Sequence, residues 1–169
     1  KTNPYHLEVN LPEKICRNKI TEDELSNLPY VNQDKIKEIF YKSETGFPTP
    51  PKLGIKNIQM GGCVRWAGAS IDTKKNIMYV SADQSPYLVS IIKNPEWIGN
   101  YTHKWEKFVD EKNYPAVKPP WGSIVALNLN SGRIIWKVPF GEWDDLKKMN
   151  IKKTGTFNRS GITASGGNL

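Results

Sequence analysis

Cys16 and Cys63, His6 and His103, and a scatter of carboxylates are the side chains here with the reactivity for redox, nucleophilic or metal chemistry. Their spacing denies them most of it. No Cys-x-x-Cys pair exists, so neither a dithiol redox centre nor a c-type haem attachment is present. A disulfide between the two cysteines is open in an oxidising compartment, and geometry decides it. The two histidines have no partner at metal-ligand spacing, and both are expected at the surface. Basic residues outnumber acidic ones, 24 to 17, for a formal charge of +7. Such a balance serves nucleic acid or an anionic surface when it is clustered. Here Lys35, Lys37, Lys56, Lys74, Lys75, Lys104 and Lys107 are scattered, with no zinc-finger or RNA-recognition signature beside them. They read as solvated turn positions, and no nucleic-acid partner is expected.

Chemistry must then come from how elements are arranged. With 13 Gly and 12 Pro in 169 residues, the chain favours a turn-rich fold over a helical bundle. No apolar run reaches the roughly 18 residues that a membrane span needs. The start at Lys1 and the end on Ser165-Gly166-Gly167-Asn168-Leu169, inside an expected strand, read as the ends of a piece of a longer chain.

Residues 1–46 read as a short helical insert or connection. Thr21-Glu22-Asp23-Glu24 has the form of a capping box, with a helix of about two turns expected before Pro29. Asn32 is placed to cap a second helix that aligns Ile36, Ile39 and Phe40 on one face. From Phe47 the pattern changes. Phe47-Pro48-Thr49-Pro50-Pro51 is extended, and Gly61-Gly62 marks a closely approached backbone. Residues 64–71 and 77–81 form a hairpin about the turn 72–76. Residues 93–120 read as a long excursion with a short helix around 104–111. Residues 122–128 and 133–138 form a second hairpin, and 161–164 open another strand. Strand units recurring at about 55 residues suggest propeller blades, which bury their faces only against neighbours. Trp136, four residues past Gly132, is placed at a strand end to dock against such a neighbour. Trp121 is open to a chemical or a structural role, with structure favoured.

Ala126-x-Asn128-x-x-Ser131-Gly132-x-x-x-Trp136 resembles the tryptophan-docking motif of quinoprotein propellers. The stretch 61–72, Met78-Tyr79-Val80, 118–127, 136–142 and Thr154-Gly155-Thr156-Phe157-Asn158 follow one another as in pyrroloquinoline quinone-dependent dehydrogenases of the membrane-bound glucose dehydrogenase type. The resemblance covers residues 47–169 well and 20–46 loosely. It implies an all-β partial propeller, about two blades of an eight-bladed quinoprotein, over 47–169. It further implies oxidation of an aldose or alcohol by hydride transfer to pyrroloquinoline quinone beside a calcium ion, and onward passage of electrons to ubiquinone or a cytochrome. The remaining blades of the parent chain are the implied structural partners. The location implied is periplasmic, compatible with membrane attachment through a part outside this segment.

The catalytic base and the calcium ligands are assigned to earlier blades, so Asp72, Asp83 and Asp110 are not promoted, and no catalytic residue is expected in this segment. Asn158-Arg159-Ser160-Gly161 matches the family's Asn-x-Gly-Gly stretch except at Ser160. Asn158 and Arg159, an amide and a cation suited to quinone carbonyls and carboxylates, are the cofactor-binding candidates. Trp66 is a third. The other reading is a non-catalytic quinoprotein-like propeller that serves as a protein-binding scaffold.

Overall fold

The computed structural model describes residues 11–29, 31–46 and 49–165, without the side chains of Arg65 and Trp66. His6, the Phe47-Pro48 start of the extended stretch and residues 166–169 lie outside the described residues.

The two hairpins form as their sequences require. Strand β3 (Cys63–Asp72) and β4 (Ile77–Asp83) flank a turn that Asp72 builds by accepting the Lys74 and Lys75 N–H groups, both at 3.0 Å. Strands β7 (Gly122–Asn128) and β8 (Ile134–Pro139) flank a turn held in the same way by the Asn128 side chain, with Gly132 at φ 68°. The hairpins are not members of successive sheets, as their spacing suggested. They are the two halves of one four-stranded antiparallel sheet, in the order β3-β4-β7-β8. The junction is the β4–β7 ladder, which runs from Ile77↔Asn128 to Asp83↔Gly122 without a break.

A second four-stranded sheet emerges from the excursion and the segment before β3. Strand β1 (Glu44–Thr45) pairs in parallel with β2 (Asn57–Met60), and β5 (Pro86–Lys93) joins β2 to β6 (Tyr101–Lys107). The helix expected around 104–111 is therefore a strand. Tyr101, His103 and Trp105 alternate with Thr102, Lys104 and Glu106, a period of two that suits a pleat, and β5 supplies a full ladder of partners. Past the strand, Asp110 accepts the N–H groups of Lys112 and Tyr114 and turns the chain. His103 is exposed, edge-on to Trp105. Two sheets of short strands with few helices make the partial propeller anticipated from the sequence.

Helix α1 (Gln33–Tyr41) is capped by Asn32, whose side chain accepts the Lys35 N–H at 3.1 Å. The helix expected after Thr21 is only one 3-10 turn, Glu22–Glu24. Leu25 bridges to Val117, and Ser26 N–H donates to Ala116 O, so pairing with 116–118 competes with helix and wins. This pairing draws Ile20, Leu25, Leu28 and Ile36 into one core with Ile58, Leu88, Phe108 and Trp121. Residues on both sides of position 46 thus share that core. Trp121 is fully buried and donates to the Val117 carbonyl at 2.8 Å, as befits a structural ring. Helix α2 (Asp144–Lys148) follows β8 and buries Leu146 in the same core.

Candidate functional site

The candidate site lies where the last part of the chain crosses one face of the β3-β4-β7-β8 sheet. Its approach is fixed by the loop after β8. Glu142 accepts the Lys153 N–H at 2.9 Å and pairs with Lys147 at 2.9 Å. These two contacts, the backbone one foremost, hold its carboxyl below the usual carboxylate range. Thr154 is then buried, with its carbonyl accepting from Trp121 N–H at 2.8 Å. Gly155, at φ 61°, lets the backbone pass so close to Gly122 that a Cβ on it would stand 2.6 Å from Gly122 N. Reciprocally, a Cβ on Gly122 would collide with the Thr156 carbonyl and lie 3.0 Å from Asn158 Nδ2.

Beyond this crossing residues 156–164 follow the sheet as irregular backbone, and Ser165 makes an isolated bridge. The strand expected over 161–164 is irregular backbone. It is tied down by side chains: Ser81 donates to the Ser160 carbonyl at 2.7 Å, and Ser70 accepts from Ala164 N–H at 2.9 Å. Ser70 pairs with Tyr79, two residues from Ser81, so both serines project from one face of the sheet and hold these residues over it.

Asn158 is 7% exposed, and neither its Oδ1 nor its Nδ2 has a partner within the described residues. A buried polar group left unmade costs about 1–3 kcal/mol, so this amide is an acceptor and a donor kept free at the sheet's end. Ser85 and Ser123, next to the paired ends Asp83 and Gly122, also carry buried hydroxyls without partners. Arg159 is exposed, with its guanidinium 5.3 Å from the centre of the Phe157 ring. The Trp66 side chain lies outside the described residues. Its neighbour Ala67 presents a carbonyl 3.1 Å from where a Cβ on Gly161 would stand, so the backbones of 67 and 161 run close together. Ser160, which departs from the family's glycine, is exposed.

The carboxylates act as turn builders. Asp83, which no spacing rule singled out, is fully buried and accepts the Ser85 N–H at 3.0 Å. Among the described residues, no group of three or more His, Cys, Asp or Glu is arranged to hold a metal. Trp136 docks within its own sheet. Ala126 pairs with both Tyr79 and Trp136, and this small residue lets the two rings meet at 5.9 Å. Cys16 and Cys63 are joined in a disulfide with Cα atoms 5.8 Å apart.

The family model for the glucose/ethanol/alcohol dehydrogenase β-propeller domain, PQQ, matches residues 1–169. No curated protein and no solved structure matches the chain. Two short-stranded sheets, a tryptophan-docking turn and a match over every residue lead to one assignment: the chain belongs to the family of PQQ-type glucose/ethanol/alcohol dehydrogenase β-propeller domains.

Proposed function

We propose that this chain forms part of the propeller of a pyrroloquinoline quinone-dependent dehydrogenase that oxidises an aldose or another alcohol in the periplasm. The observation that carries the reading is Asn158, a buried amide whose two polar atoms have no partner among the described residues, within a segment held close by Gly122 and Gly155. A ligand offering carbonyl and carboxylate oxygens fits such an amide, with Nδ2 donating to it. Arg159 is an exposed cation without a carboxylate partner among the described residues, suited to a second, charged contact on the same ligand. Ser81 and Ser70, by anchoring 160 and 164, hold that segment in place before any ligand arrives. When bound, the quinone supplies the two-electron acceptor for hydride from the substrate. Calcium belongs to the same proposal, with its ligands and the catalytic base assigned elsewhere in the parent protein. Ubiquinone or a cytochrome would take the electrons onward. The Cys16–Cys63 bond supports the periplasmic location, where disulfides persist.

The test uses the longest chain that contains this segment, supplied with pyrroloquinoline quinone and calcium. Dye reduction is followed with a panel of aldoses and alcohols, and quinone binding is followed by fluorescence quenching. Quinone-dependent turnover is expected. Asn158→Ala should weaken quinone binding about tenfold, the loss of one hydrogen bond to a charged group, with circular dichroism unchanged. Absence of both binding and turnover would transfer the function to a protein-binding scaffold.

A further inference from the structure

On the other face of the β3-β4-β7-β8 sheet, away from residues 156–164, lies an open surface hollow of about 580 Å³. Its walls carry Lys14, Arg17 and Lys137, with the Gln84 amide and the rings of Pro120 and Pro139. Strand alternation explains the placement. Lys137 and Pro139 pair with Val125 and Ser123 on one face, and Trp136 pairs with Ala126 on the opposite one. The segment containing Cys16 is bonded to Cys63 and packs on Val80, Ala82 and Val125. That contact brings Lys14 and Arg17 to the side of the sheet that bears Lys137.

Among the described residues, the wall holds three cations and no carboxylate. Arg17 is only partly satisfied. Its Nε meets Glu24 at 3.0 Å and its Nη2 donates to the Lys118 carbonyl at 3.2 Å, but Nη1 is buried without a partner among the described residues. The Lys137 ammonium donates to the Ile15 carbonyl at 2.7 Å. No carboxylate pairs with Lys137 or Lys14 among the described residues. Lys137 is exposed as a whole, and the partial loss of water at its ammonium, followed by the Arg17 charge, holds that group below the ordinary lysine range. The Gln84 side-chain oxygen accepts the Arg17 backbone N–H at 3.3 Å, which leaves NH₂ as its donor end. Like charges gathered on a hollow wall repel one another, and an anion between them reverses the sign of that interaction.

We propose that this hollow binds a small polyanion, a molecule with two or more phosphate or carboxylate charges, between Lys14, Arg17 and Lys137. The site is separate from Asn158, because the sheet lies between them. It therefore stands or falls independently of the quinone reading.

Isothermal calorimetry on the full chain at low ionic strength tests it, with inorganic phosphate in one arm and citrate in the other. Saturable binding is expected in at least one arm, and the tighter arm names the source of the oxyanion. Lys137→Gln should weaken binding about tenfold, the worth of one charged hydrogen bond. Lys137→Arg, which keeps the charge, should retain most of the affinity and guards against a purely structural effect. Lys74→Gln, in the exposed turn between β3 and β4, controls for net charge and should change nothing. No saturable binding in either arm, or equal affinity in Lys137→Gln and the parent chain, would overturn the proposal.

Discussion

At the scale of residues, the two glycines at the crossing decide whether the candidate site exists. Gly122 has no room for a methyl group, because the Thr156 carbonyl occupies its place. The obstacle is backbone, which cannot rotate away as a side chain can. Gly122→Ala should therefore lift the 154–158 segment off the sheet and cost about 1–3 kcal/mol, the usual price of overpacking. Urea denaturation measures the loss, and amide spectra should place the disturbance at residues 154–158 and 122. Asn158 was legible as a candidate only through the family's pattern around it. Its unpartnered state was not, since that depends on what packs over it from 122. Asp83 was hidden for the same reason: a buried carboxylate at a strand end has no sequence signature of its own.

At the scale of elements, the loop from β8 to Thr154 is pinned by a carboxylate and is therefore sensitive to acid. Glu142 has its folded pKa depressed, so its contribution is complete above the unfolded value. It is lost as pH falls through the lower, folded one. The Lys153 amide, which donates a hydrogen bond to Glu142, should report the carboxyl's titration in a two-dimensional amide spectrum with a midpoint below 4.5. A midpoint at or above that value would show the contact absent in solution. Elements held by local chemistry were readable from sequence: the Asp72 turn, the Asn32 cap, and the β7–β8 turn on Asn128. Elements decided by distant partners were not. Residues 101–107 became a strand because β5 lay alongside, and the helix after Thr21 stopped because Ala116 and Val117 took its backbone bonds. The grouping of both hairpins into one sheet also rests on a ladder between segments about 45 residues apart, beyond the reach of any local pattern.

At the scale of the whole molecule, the Cys16–Cys63 disulfide joins the segment before α1 to the start of β3. It closes a loop with a sequence separation of 47 residues. By chain entropy alone, closing such a loop is worth about 4 kcal/mol. A Cys16→Ser, Cys63→Ser variant should lose stability by up to that amount in guanidinium, and an unchanged midpoint would show that the bond does not form. The bond also alters what continuity of the chain means. Residues 52–56 form an exposed stretch with a lysine at each end, and they lie inside the closed loop. A protease that cut there would make two polypeptides and still leave one particle, because the sulfur bridge spans the cut. Backbone integrity in this region is thus backed by a second covalent path, and only reduction together with cleavage would part the two pieces.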